Sequence, residues 1–167
     1  MKKIIRVFIL SCLIVTCFIP NVAYASVGAS QLGWQDVTLT DEEFNAILSL
    51  NPNNEITPYA TGLIIGKNIA VSKSGNTLTI AGETRGSSNV TKCGFSEVTI
   101  QRRKNASSSW SNYQTYKDLY RESTSYKLTK IVTVPSGYQY RVTCTHYAKK
   151  NIFSTQKIDN TSNIVTV

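Results

Sequence analysis

His146 is the single histidine of the chain and stands two residues from Cys144. On an extended strand that spacing puts both side chains on one face. A thiol and an imidazole so placed form a nucleophilic pair if the cysteine is reduced and exposed, and Asp118 or Asp159 would be the carboxylate of a triad. The plainer alternative is a core cysteine with a histidine at the strand's end. The other acids past residue 61, Glu83, Glu97 and Glu122, are scattered, which gives glycoside hydrolysis no evident carboxylate pair. Metal sites need clustered histidines, cysteines and carboxylates. The one histidine here stands two residues from a cysteine expected in a disulfide, so no zinc site is expected. No glycine-rich loop is present to cradle phosphates. The expectation is a protein that is not an enzyme and uses no metal and no cofactor.

A second stretch invites binding chemistry. Arg102, Arg103 and Lys104 are followed by Trp110, Tyr113, Tyr116, Lys117, Tyr120 and Arg121. Cations interleaved with aromatic rings can stack on sugars or bases while holding anions. The competing reading is structural, because tyrosines suit strands and Trp110 could cap a core. Arg102, Arg103, Lys104, Trp110, Tyr113, Tyr116 and Lys117 are the candidate ligand-binding residues.

What must position these groups follows from the rest of the chain. Lys2, Lys3 and Arg6 open a short apolar run, Val7 to Ile19, broken by Pro20 and followed by Ala23-Tyr24-Ala25. This reads as a signal peptide, residues 1–25, cleaved after Ala25; the run is shorter than the roughly 20 apolar residues of a spanning helix. A secreted, extracellular protein without a transmembrane segment in its mature chain is expected. Cleavage leaves 142 of the 167 residues, a one-domain length, and lowers the net charge from +8 to +5 because three bases leave with the leader.

The charge is uneven. Residues 26–60 carry five acids and no lysine or arginine, whereas residues 61–167 carry 15 bases and five acids. An acidic arm on a basic domain is expected. Within the arm, Thr40-Asp41-Glu42-Glu43 is a capping box, and Leu39 with Phe44 forms a hydrophobic staple, predicting one helix over about 40–50. Asn51-Pro52-Asn53-Asn54 and Thr57-Pro58 read as a linker. So short a helix docks on something or frays; an electrostatic clamp, a pro-segment and a flexible tether are all open.

Beyond residue 61 short alternating runs are separated by turn residues, the pattern of an all-β sandwich or barrel. Strands are expected near Ile69–Lys73, Thr77–Ala81, Phe95–Arg103, Trp110–Lys117, Tyr126–Val134, from Gln139 to Tyr147, and at Phe153–Ile158 and Asn163–Val167. Residues 82–89 read as a loop and Asp159-Asn160 as a turn. Once the leader is gone, two cysteines remain, Cys93 and Cys144. An exported protein meets oxidising surroundings, so a Cys93–Cys144 disulfide is expected; the loop it closes would add roughly 4 kcal/mol on the chain-entropy model. Two buried free thiols are the alternative.

A strand holding Val98 and Ile100, then Ser109-Trp110, a strand around Tyr126-Lys127-Leu128, and Pro135-x-Gly137-x-x-Tyr140-x-Val142 resemble the fibronectin type III and immunoglobulin-like β-sandwich over about residues 66–167. The resemblance implies that Tyr140 closes a tyrosine corner, its hydroxyl bonding back to the backbone. Three features depart from the pattern: Ser136 separates Pro135 from Gly137, the second strand has no tryptophan while Trp110 falls in a turn or edge region, and the cysteines would join neighbouring strands of one sheet. Cys93 and Val98 also differ in parity, so a bulge is required, expected at Gly94.

With its lysine-rich leader, acidic helical arm and basic β domain, the chain resembles small secreted proteins of Gram-positive bacteria, a resemblance that implies no activity. The expected function is a non-catalytic binding module of the cell surface, in contact with anionic cell-wall polymers or glycans. The alternative is a bacteriocin-like or toxin-like effector with the acidic arm as its controlling segment. Nucleic acid is not an expected partner, since export removes the usual target.

Overall fold

The computed structural model describes residues 33–54 and 62–167. The expected signal peptide, residues 1–25, and the linker residues 55–61 lie outside the described residues. In chain order the elements are β1 (Gln35–Asp36), α1 (Asp41–Leu48), β2 (Ile64–Ser74), β3 (Thr77–Gly86), β4 (Lys92–Arg103), β5 (Ser111–Arg121), β6 (Ser125–Thr133), β7 (Gln139–Asn151), β8 (Ser154–Thr161) and β9 (Val165–Thr166). All described strand pairings are antiparallel. They form one sheet in the order β1-β6-β3-β2 and another in the order β5-β4-β7-β8, with β9 beside the start of β7.

Two-residue alternation builds the core. Ile69, Val71, Leu78, Ile80, Leu128 and Val132 from the first sheet meet Phe95, Val98, Ile100, Tyr140, Val142 and Cys144 from the second in one buried cluster. Over its described residues the protein is therefore an all-β sandwich with one short helix. Tyr140 is fully buried, and its hydroxyl donates to the Pro135 carbonyl at 2.7 Å. That bond ties the start of β7 to the corner before it.

Parity along β4 changes as the residues demand. Cys93 and Phe95 face inward, as do Val98 and Ile100, and the register slips between Phe95–His146 and Glu97–Thr145. The bulge residue is Ser96, two places beyond the expected Gly94. A close approach to β5 is what requires glycine at residue 94, where φ is +153° and a Cβ would meet the Leu119 carbonyl oxygen at 2.2 Å.

Three expected boundaries need correction. β3 continues through residues 82–86, where a loop was expected. Gly82 there is a packing residue and no turn signal, since a Cβ would meet Ile69 Cδ1 at 2.8 Å and Phe95 Cζ at 3.0 Å. Asp159 and Asn160 lie inside β8, paired with Thr145 and Cys144. Phe153 belongs to the β7–β8 turn and opens no strand.

The expected disulfide is also corrected: Cys93 and Cys144 are free, buried thiols. They sit on adjacent strands but far apart along the ladder, with Cys93 opposite Ala148 and Cys144 opposite Val98. Four rungs of β7 separate Ala148 from Cys144, about 13 Å, roughly twice the Cα separation a disulfide spans.

The described part of the arm is built into the sandwich. The capping box forms as expected, the Glu43 amide donating to Thr40 Oγ1 at 3.2 Å and the Thr40 amide to Glu43 Oε2 at 2.8 Å. β1 pairs with β6, and α1 packs against β2 and β3 with Phe44 buried. Asn51 then fastens the far end, donating to the Ile69 carbonyl at 2.7 Å and the Thr161 carbonyl at 3.0 Å. Lys127 pairs with Asp41 at 2.7 Å, and Lys130 pairs with Asp36. These pairs are solvent-exposed on their acidic side and add little; burial of Phe44 and Asn51 holds the arm.

Candidate functional site

β4 and β7 lie side by side, so alternate residues project together from the outer face of the second sheet. Gln101 stands opposite Arg141, and Arg103 opposite Gln139. Each arginine is oriented by the glutamine of the other strand: Arg103 Nε donates to Gln139 Oε1 and Arg141 Nε to Gln101 Oε1, both at 2.8 Å. Trp110 arrives from the β4–β5 connection, and both guanidinium carbons lie 4.4 Å from its ring centre. Burial, then the charge of Arg103, lowers the pKa of Arg141. A guanidinium stays protonated regardless, so two like charges are held together. Among the described residues no carboxylate lies within ion-pair distance of either.

The other expected binding residues do not join this cluster. Arg102 points to the end of the core, 4.9 Å from the Tyr113 ring and 4.8 Å from the Tyr138 ring, and Lys104 lies 5.0 Å from Tyr138. Tyr113 packs edge-on against Tyr140. Tyr116 is stacked on Trp34 of the arm, centroids 3.8 Å apart. Lys117 pairs with Glu97 at 3.8 Å. The seven candidates thus divide into an outer-face pair, Arg103 and Trp110, an end seal of Arg102, Lys104 and Tyr113, and two residues already partnered within the chain. No protein-family model matches the chain, and no curated protein or solved structure does either. Function must be read from the site itself.

Arg141 and the two guiding glutamines, Gln101 for Arg141 and Gln139 for Arg103, went unselected in the sequence because Arg141 and Gln139 lie on a different strand from Arg103. Only the β4–β7 pairing brings them together. The signal that could have found Arg141 was its outward parity beside the inward Tyr140 and Val142.

The His146–Cys144 pair is made, but inside the core. His146 is fully buried; Cys144 Sγ lies 3.5 Å from Nε2, and Thr84 Oγ1 lies 2.7 Å from Nδ1. Thr84 spends its one hydroxyl proton on the Gly94 carbonyl at 2.8 Å, so it accepts from His146. That assigns the proton to Nδ1 and leaves Nε2 to accept from the Cys144 thiol. Burial pushes the thiol up and pulls His146 down to about 3. Both shifts favour the neutral forms, the reverse of what a thiolate–imidazolium nucleophile requires. Cys93, pushed up to about 11 by burial, likewise stays a thiol and donates to the Thr84 carbonyl.

A third feature is a cleft of about 450 Å³ between α1 and the first sheet, where Asn45, Asn54, Asn68, Glu83 and Arg85 present polar groups. Asn51, the residue that clips the arm, also lines the cleft.

Proposed function

We propose that this protein is a secreted, non-catalytic binding module of fibronectin type III-like architecture that holds an anionic cell-wall polymer or glycan on the Arg103–Trp110–Arg141 cluster. The single observation that carries the reading is two guanidinium groups sharing one tryptophan ring with no described carboxylate to neutralise them. Such a group offers charge to phosphate or carboxylate and an aromatic edge to sugar.

Several features support the architecture. With β2, β3 and β4 taken as strands A, B and C, the strand after C joins the C-F-G sheet, whereas the constant-type immunoglobulin order places it with A, B and E. The Tyr140–Pro135 bond is the corner expected of the family, and the cysteines occupy adjacent strands of one sheet. Export is supported by the basic, apolar and small-residue succession of residues 1–25. The alternative, an effector controlled by its acidic arm, has less in its favour: α1 packs on the first sheet, while the cluster is on the outer face of the second.

Pull-down on purified Gram-positive cell walls tests the reading. Binding should be retained at low salt, weaken in high salt, and be lost in an Arg103→Ala, Trp110→Ala, Arg141→Ala triple variant. Undiminished binding by that variant overturns it.

A further inference from the structure

We propose that the tip of the β7–β8 hairpin is a membrane-contact element that seats on anionic lipid. Ile152 and Phe153 form the two-residue turn between Asn151 and Ser154, and they are 77% and 92% exposed. Neither belongs to a hydrophobic cluster of the fold. Turn geometry does not ask for them either. Tight hairpins favour glycine, asparagine or aspartate at these places, and neither residue has a positive φ that would restrict the choice. Two large apolar side chains at the most exposed point of a strand pair break the local rule without a folding gain, which marks a site used for something else.

The surroundings specify the partner. Lys149 and Lys150 precede the turn, Lys157 follows it, and Lys92 of β4 stands opposite Lys149. The neighbouring β5–β6 turn contributes Glu122, which Lys92 meets at 3.4 Å, leaving Lys149, Lys150 and Lys157 on the hairpin itself. The tip's backbone is locally satisfied as well, the Phe153 amide donating to Asn151 Oδ1 at 3.0 Å. A protein partner would need a groove shaped to this convex point; hydrocarbon needs none, and the lysines of the hairpin behind the tip match anionic headgroups. The surface is separate from the tryptophan cluster, because Arg141 and Asn151 lie ten residues apart on β7, about 33 Å.

Cosedimentation of the full chain with phosphatidylglycerol–phosphatidylcholine vesicles tests this, parent and variant being compared so that the apolar leader cancels. Ile152→Ser with Phe153→Ser should lower partitioning about tenfold, as should Lys149→Gln, Lys150→Gln and Lys157→Gln together, and salt should weaken the parent. All five side chains are solvent-reached, and an unchanged unfolding transition checks the fold. Absence of parent binding, equal binding to pure phosphatidylcholine, or undiminished binding by the Ile152/Phe153 variant overturns the proposal. An Arg103→Ala, Arg141→Ala variant should still bind vesicles. If it fails while the tip variant binds, the lipid is meeting the tryptophan cluster and the hairpin has no such role.

Discussion

On the outer face of the first sheet Ala70 and Ala81 stand opposite each other and are fully buried, whereas the outer face of the second sheet carries Gln101, Arg103, Arg141 and Thr143, all reached by solvent. Both faces belong to one sandwich with a shared core, so the core does not explain the difference. On the first face small side chains let α1 approach closely, and Phe44 supplies the apolar area that the strands omit. On the second face the side chains guide one another in cross-strand pairs, and the described residues place no element over them. An antiparallel sheet is stable with one wet face. The arm is therefore a third layer over one face, and the described residues leave the other open to solvent.

The largest test of that contrast removes the third layer's anchor. Phe44→Ala should cost about 3 kcal/mol in denaturant unfolding, the range for emptying a buried aromatic site. A cost under about 1 kcal/mol would mean that α1 merely rests on the sheet, and the two faces would be alike.

A second test reaches the layer between the faces. Folding buries His146 neutral with its pKa near 3, while the unfolded chain titrates it near 6.5. Below 6.5 the unfolded state binds a proton that the folded state refuses, so stability falls as pH drops towards 3. From pH 7 to pH 5 the parent should lose about 2 kcal/mol. As the chain has one histidine, a His146→Gln variant, though weaker at pH 7, should show a nearly flat profile over that window. A parent that is flat there would place His146 in water.

Thr40→Ala is a smaller lever on the covered face. It deletes the side-chain half of the capping box and should cost about 1 kcal/mol. Hydrogen bonds from Thr40 lower the pKa of Glu43 in the folded protein, so this support is present above the ordinary carboxylate range and lost as pH falls through it. Glu43→Gln should therefore weaken the acid sensitivity of the helix, followed by circular dichroism.

How these features stood in the sequence depends on the distance over which each is decided. The capping box of Thr40 and Glu43 and the Pro135–Tyr140 corner are settled within a few residues, and both were legible. The strands were legible where parity alternated cleanly, as from Gln139 to Tyr147. Gly82 misled because glycine signals a turn and a close approach equally well, and only Phe95 and Ile69 beside it decide between them. The cysteine pairing misled because register, which composition does not carry, holds the sulfurs four rungs apart. Arm docking was hidden because Asn51 looked like a linker residue until Ile69 and Thr161 offered it carbonyls. Of the binding candidates, Arg103 and Trp110 converge, while Arg141 entered only through strand pairing.

The smallest expected effect on stability sharpens the comparison most. Trp110 is half-buried and packs on guanidinium groups that water also reaches, where a cation–π contact is worth about 0.5–1 kcal/mol. Trp110→Ala should therefore cost less than about 1 kcal/mol in unfolding, well below the Phe44 variant, while removing the ring that a sugar or phosphate polymer would meet. Measured side by side, the two substitutions assign each aromatic residue to its face. Near-equal unfolding costs would make Trp110 a structural cap, strip the open face of its one ligand-ready feature, and leave the arginine pair as a solvated edge of the sheet.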